Sequence, residues 1–393
     1  MKKSLLIILM LCLSLGIGCC LSSCTIQGNL PVQTQNSDYE AKLREVVALL
    51  DQVYVDGYST EELGDLLAAA AVQATGDRWS SYISAKDYAA YIENSKNEYV
   101  GIGVTVQQES EDSQAIVVLT VNLGGSAYEA GVLPGDVIYA VNGVSAEEIG
   151  MDEMSNRIRG EEGTEVVLSI RRDGKEFDLT LVRKVIEVEV VVYDNLDGIG
   201  YIKIDNFQDH CAQRSKEAIQ TLMEQGVKGI VFDVRYNPGG KKNELVDLLD
   251  YILPEGALFR SVDYKGEESV DYSDDENQIK LPMAVLVNGD SYSAAEFFAA
   301  ALQEYHWATV VGTKTVGKGN YQQTFTLSDG SAVAVSTGHY STPNGANLEG
   351  VGITPDIEIE VDDDLYYGIY YQTISYEEDP QLQAALEEIK NNT

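Results

Sequence analysis

Two serines, Ser291 and Ser293, follow an apolar run and open an alanine-rich stretch in VLVNGDSYSAAEFFAAALQ, residues 285–303. Ser293, with Glu296 three residues on, fits the Ser-x-x-Glu capping box that satisfies orphan backbone donors at a helix start. The same geometry aims backbone N–H groups at any anion forming beside the serine, so capping and nucleophilic chemistry are both open to it. A serine hydroxyl becomes a useful nucleophile only when a base takes its proton. Lys318, in GTKTVGKG at residues 312–319, is a candidate base, and the glycines on both sides of it let backbone approach closely. A lysine of ordinary pKa is only about 0.04% neutral at pH 7, so this role requires desolvation that lowers the pKa by roughly three units. RYNPGG, residues 235–240, ends a buried-strand pattern in paired glycines. It reads as an ordinary turn or as a ring of backbone N–H groups available to an oxyanion.

Other chemistries fit less well. GTKTVGKG nearly spells the phosphate-binding pattern Gly-x-x-x-x-Gly-Lys-[Ser/Thr], but Gly319 stands where a magnesium-binding hydroxyl is needed. The residues after it, NYQQTFTLSDGSAVAV, alternate like strands and a hairpin where that motif requires a helix. A serine–histidine hydrolase acting on a small ester would have to use His210, His306 or His339, none of which sits in a recognisable motif; His339 and His306 are the residues to test. One cysteine outside the leader region and three scattered histidines make no zinc cluster, and neither a metal nor a cofactor is expected.

The elements that must position these residues fall into blocks. Apolar residues recur at helical spacing in LREVVALLDQVY, ELGDLLAAAAVQA and DYAAYIENSK, which makes residues 38–97 a helical segment. Residues 98–185 have the texture of a small β-domain: YVGIGVTVQQ and AIVVLTVN alternate, and Asn142-Gly143 and Asp173-Gly174 are hairpin signals. From 186 to 393 strands and helices alternate, through GIGYIKIDNF, GIVFDVRYNPGG, MAVLVN and ATVVGT, as in an α/β core. Residues 362–364 are aspartates in an acidic tail segment that reads as a solvated face.

The chain of 393 residues carries a formal charge of −36, which repels nucleic acid and anionic headgroups alike. Its first 24 residues, MKKSLLIILMLCLSLGIGCCLSSC, set two lysines before a leucine-rich run of about signal-peptide length. LSSC, residues 21–24, resembles the bacterial lipobox, so residues 1–23 are expected to be a cleaved leader and Cys24 the lipid-modified mature terminus. A simple membrane span or secretion are the alternatives. Residues 24–37 then form a tether, and the protein sits on the outer side of a bacterial membrane, in the cell envelope. Cys211 is left as a lone thiol, unable to staple an exported fold.

Taken together, GDRWSSYIS, YVGIGVTV, GSAYEAGVLPGDVI, GYIKIDNF, FDVRYNPGG, LVNGDSYSAAE, VGTKTVGKGNYQQ, LSDGS and GVGITPDIEI resemble, in this order, the carboxy-terminal processing (tail-specific) proteases of serine–lysine peptidase family S41. The resemblance runs from about Tyr39 to the end. It implies a Clp-protease/crotonase-like α/β core, an inserted PDZ domain and an N-terminal helical segment. It implies a Ser-Lys-Gln set: Ser293 as nucleophile, with Glu296 fixing the register, Lys318 as base and Gln322, four residues later, as its assistant. Backbone groups of Ala294 and Gly239 are the implied oxyanion donors. YVGIG resembles the carboxylate-binding loop of PDZ domains, with the N–H groups of Gly101, Ile102 and Gly103 holding a substrate's free C-terminus. Met154 and Ile158 in MDEMSNRI would then form the apolar side of the peptide groove, or else simply domain core. The implied partners are proteins or peptides with free C-termini. Two departures stand beside the nucleophile: Tyr292 replaces a small residue and Ala295 replaces the third serine of Ser-x-Ser-x-Ser-Glu. A PDZ-containing lipoprotein that binds without catalysing is the alternative reading. Substrate, oligomeric state and any regulatory partner are not legible.

Overall fold

A computed structural model describes residues 38–110, 113–274 and 277–392; Cys24, the leader and the tether lie outside the described residues. The chain forms two compact units. Of the described residues, one joins 38–88 with 257–271 and 319–349, and the other joins those within 89–256, 272–318 and 350–392.

The larger unit contains the α/β core. Its six-stranded sheet runs in the order Val191–Leu196, Ile199–Ile204, Ile230–Asp233, Met283–Val287, Ala308–Gly312, Ile357–Glu358. The first pair is antiparallel and the rest parallel. Every residue of Ile230–Asp233 and Met283–Val287 is buried, as expected of central parallel strands covered on both faces. One face meets the C-terminal helix Pro380–Asn392, whose Leu382, Ala385, Leu386 and Ile389 pack with Val231, Ala284, Leu286 and Val311. On Phe232, which alternates with Val231, the ring of Phe298 packs edge-on at 5.3 Å, and Phe298 also contacts Phe207 at 5.7 Å. Phe298 belongs to the helix Ala294–Glu304, in which residues 294–302 are all buried. Its alanines let it sit that deep, because they carry no bulk to exclude neighbouring elements.

The β-domain in the same unit orders its strands Val104–Ser110, Ser113–Val121, Val137–Val141, Glu165–Arg172, Lys175–Val182. Asn142 and Gly143 have φ of 50° and 75°, and Asp173 and Gly174 have 50° and 73°. Two consecutive positive φ values are what a tight hairpin between right-twisted strands needs. Glu98–Gly101 pairs antiparallel with Lys184–Glu187, so the block's two ends lie side by side and its ladder reaches Glu187.

In the smaller unit the expected N-terminal helices appear at Asp38–Val53 and Thr60–Gln73, but Ser81–Ile83 is a strand. It pairs with Ala332–Ser341, which also pairs with Asn320–Thr326 and Gly256–Asp263. Residues 257–271 and 319–349 therefore leave the α/β alternation to build a sheet with a strand from the start of the chain. Among the described residues no helix is long and apolar enough to cross a membrane.

Candidate active site

The site begins where Met283–Val287 ends, and its turn separates the two serines. Ser291 is fully buried. Its hydroxyl donates to Val234 O (2.7 Å) and accepts from Asn288 N–H (3.0 Å), tying this turn to the one after Ile230–Asp233. Asn288 Oδ1 accepts from Tyr236 N–H (2.9 Å), and Tyr292 N–H donates to Asn237 O (3.1 Å). Ser291 is thus a fastener between two loops.

Ser293 is different. It stands at the entrance of Ala294–Glu304 with φ 58° and ψ −123°, a conformation that L-residues rarely adopt. Backbone held there costs on the order of 1–3 kcal/mol and persists only where the surroundings enforce it. The enforcing neighbour is the RYNPGG turn. Gly239 has φ 85°, and a Cβ on it would lie 2.7 Å from Ser293 Cβ and 2.8 Å from Ala294 N. Only glycine fits, on both counts. The turn therefore passes directly against Ser293 and the Ala294 N–H. The Gly239 N–H itself donates to Asn237 Oδ1 (2.8 Å), so in this structure it is committed inside the turn.

Glu296 joins Ser293 to the lysine loop. It is fully buried and accepts four hydrogen bonds. Oε2 takes Ser293 N–H (3.0 Å) and Lys318 N–H (2.9 Å); Oε1 takes Gly317 N–H (2.6 Å) and the Thr315 hydroxyl (2.5 Å). Thr315 Oγ1, which donates to Glu296, also accepts Ile353 N–H (2.7 Å). Burial pushes the Glu296 carboxyl above its ordinary pKa, against the lowering effect of those four donors. Of the capping box expected at this helix, the bond from Ser293 N–H to the Glu296 carboxylate is made, while the Ser293 hydroxyl makes no cap bond. What the sequence missed is that the capping carboxylate also holds residues 315–318. The available signal was a lone acid inside the apolar run SAAEFFAAAL, which no exposed helix face would explain. Val316 N–H adds a bond to Ser291 O (3.3 Å). The half-buried Lys318 directs its Nζ to 6.0 Å from the ring centroid of Tyr292, the residue before Ser293.

Gln322 belongs to the other unit, whose segment 319–349 follows Lys318 in sequence. Its amide donates to Ser336 Oγ (2.9 Å) and Asn320 O (3.2 Å). His339 Nδ1 pairs with Asn320 Oδ1 (2.6 Å), His210 faces Glu98 (3.7 Å), and His306 follows the C-terminal end of the Ser293 helix. An eleven-residue helix is about 16 Å long, so His306 is out of reach of Ser293.

In the β-domain the 101–103 loop is fixed by its carbonyls: Ile102 O accepts from Ala127 N–H (2.9 Å) and Gly103 O from Asn122 N–H (2.8 Å). Neither Ile102 nor Gly103 N–H has a backbone partner among the described residues. Met154 and Ile158 are a correction to the groove expectation. Both lie in the domain core with Ile116, Ile138 and Leu168, and Met154 is wholly inaccessible, because the helix Ala146–Ile158 turns this face onto the sheet. Cys211 is buried, and burial raises its thiol pKa, so it is inert.

Residues 198–359 match peptidase family S41 and residues 117–172 match the PDZ domain. A probable CtpA-like serine protease of Staphylococcus saprophyticus is 32% identical over 332 residues, 84% of this chain and 67% of that protein. The chain belongs to peptidase family S41. A probable CtpA-like serine protease of Staphylococcus aureus is likewise 32% identical over 322 residues, and the chain spans 64% of its length. A putative S41 protease from Bacteroides fragilis superposes with a TM-score of 0.51 at 17% identity, over 89% of this chain and 97% of that one, which speaks for the S41 fold.

Proposed function

We propose that this S41 member is an envelope serine endopeptidase that cleaves polypeptides near unstructured C-termini. Ser293 Oγ attacks the scissile carbonyl carbon while the Lys318 amine takes the hydroxyl proton. Lys318 then gives that proton to the departing amine, and water hydrolyses the acyl-enzyme. The Ala294 N–H, at a helix N-terminus, is the first oxyanion donor. Gly239 joins it by exchanging its bond to Asn237 Oδ1 for one to the oxyanion. Gln322 is the residue proposed to assist Lys318.

The observation that carries this reading is Glu296, whose one carboxylate binds the backbone of both Ser293 and Lys318. A cap alone needs no contact with residues 315–318. An active-site serine probe should label wild type and leave Ser293→Ala unlabelled. Lys318→Arg keeps a cation but supplies no base, and should be as inactive as Ser293→Ala. A folded Lys318→Arg protein that still turns over substrate would sink the Ser-Lys mechanism, and an unlabelled wild type would favour the non-catalytic binding lipoprotein.

Substrate capture belongs to the 101–103 loop, where the Ile102 and Gly103 N–H groups, without backbone partners among the described residues, suit a carboxylate and the peptide adds as a strand beside Val104–Ser110. A free-acid peptide should bind more tightly than its C-terminal amide, and equal affinities would remove this role. Cys24 carries the lipid anchor in the same reading, with two acyl chains sufficing for stable attachment. Wild type should partition into detergent and Cys24→Ala into the aqueous phase.

A further inference from the structure

A patch of tyrosines lies over the two turns that meet at Ser293. Tyr366, Tyr367 and Tyr370 come from the helix Asp363–Tyr370, and Tyr371 caps it. Tyr236, from RYNPGG, packs edge-on against Tyr366 (5.0 Å) and Tyr370 (5.1 Å) and donates its hydroxyl to Tyr366 O (2.8 Å). The Tyr366 hydroxyl donates to Asp290 on the other turn. Outward from this base, Tyr367 stacks with Tyr371 at 6.3 Å, and Tyr370 meets Tyr371 at 4.8 Å. Tyr367, Tyr370 and Tyr371 remain 55%, 50% and 66% exposed. Large aromatic rings left open in a contiguous cluster mark an interaction surface.

The charge around the rings says what they would meet. Residues 350–389 contain eleven aspartates and glutamates and no lysine or arginine. Residues 362–364, 377 and 378 are exposed acids on the same segment, and Asp290 is a sixth. The two cations of the cavity beneath are held: Arg235 is buried and bound by Asp233, Asp379 and Gln381, and Lys203 donates to Asp205. Aromatic faces rimmed by carboxylates attract lysine and arginine side chains, through the ring quadrupole and through charge. A second copy of this chain, at −36, meets the patch with like charge.

We infer that this surface is an exosite for a lysine- or arginine-bearing stretch of an extended substrate, an inference that rests on the peptidase reading. Tyr236 precedes Gly239 by three residues and Asp290 precedes Ser293 by three, and three residues of chain reach at most about 10 Å. A chain lying across the rings is therefore within a few residues of the reactive hydroxyl.

The test uses two unstructured polypeptides of equal length and identical C-termini, one carrying lysines in its middle segment and the other glutamates. Wild type should cleave the lysine version with a kcat/KM about tenfold higher at low salt, converging at high salt. Tyr367→Ala/Tyr371→Ala should lose most of that preference while Ser293 still takes the serine probe at the wild-type rate. Equal cleavage of the two polypeptides, or a preference untouched by the double substitution, overturns the exosite. If Ser293 takes no probe, fluorescence anisotropy with the same polypeptides decides. Salt-sensitive binding of the lysine version that the double variant lacks supports the exosite and separates it from the failed peptidase reading; no binding overturns both. A wild-type dimer that dissociates in the double variant overturns it in favour of a second copy.

Discussion

Glu296 and Asp233 are both fully buried carboxylates, and they are held in opposite ways. Asp233 accepts from Arg235 Nε (2.9 Å) and Nη2 (2.5 Å) and from the Tyr201 hydroxyl (2.8 Å). Burial opposes its charge, but the guanidinium outweighs burial and holds the carboxyl below its ordinary pKa. Arg235 in turn binds Asp379 and Gln381, which fasten the C-terminal segment to the sheet. Glu296 accepts from three backbone N–H groups and one hydroxyl, and there burial prevails. A buried carboxylate with a cation is a fixed structural tie. One held by neutral donors keeps a raised pKa, and here it ties the backbone of Ser293 to that of Lys318.

Removing the cation should have the largest effect. Arg235→Ala leaves Asp233 and Asp379 buried without their partner, and should cost about 3–5 kcal/mol in urea unfolding. A loss below about 1 kcal/mol would mean that water replaces the guanidinium and that the contrast with Glu296 is one of degree.

Glu296→Gln should reverse the balance between stability and rate. The amide turns an NH2 donor towards one pair of the four donors, releasing either Ser293 and Lys318 or Thr315 and Gly317. Serine-probe labelling should fall about 100-fold, equivalent to about 2.7 kcal/mol. The urea midpoint should move less than in Arg235→Ala, because a neutral side chain no longer suffers the burial of charge. Labelling that survives intact would reduce Glu296 to an ordinary cap.

An acid titration should part the two groups. The folded pKa of Glu296 is raised, so on acidification the native protein takes up this proton above the ordinary carboxylate range. Its stability contribution is fully present below the unfolded pKa and is lost as pH rises through the folded pKa. Asp233 is the reverse: its contribution is present above the unfolded pKa and lost as pH falls through the lowered folded pKa. Labelling should therefore decline while circular dichroism still reports a native fold. Simultaneous loss of both signals would remove the distinction.

The smallest effect belongs to Tyr292. A ring 6.0 Å from Lys318 Nζ favours the ammonium by roughly 0.5–1 kcal/mol. Tyr292→Leu should free more neutral amine and raise labelling about two- to fivefold below the lysine pKa. A fall would show that the ring serves the site by packing.

Local signals carried much of this molecule. Helical spacing marked Asp38–Val53, Thr60–Gln73 and Ala85–Lys96, and two Asn-Gly or Asp-Gly pairs marked hairpins that the positive φ values realise. Ser293 and the glycine-flanked Lys318 stood out as types that could do chemistry, and Glu296 as the partner of a helix cap. These features depend on neighbours a few residues apart, which is the range over which hydrogen bonding and side-chain periodicity act.

Long-range contact decided the rest. Glu296 singled out Ser293 in the sequence, but what Ser291 does appears only when Val234, 57 residues earlier, claims its hydroxyl while Gly239 is pressed against Ser293. Helical spacing placed Met154 and Ile158 on one face, and only the sheet beneath showed that this face is core. Ser81–Ile83 is too short to register as a strand alone and exists because residues 332–341 offer it an edge. The sequence by itself determined which residues could act as nucleophile, base and anion donors. The tertiary structure decided that one carboxylate would bind two of them, because Glu296 and Lys318 are 22 residues apart and meet only when the strand Ala308–Gly312 brings its loop back beside the Ser293 helix.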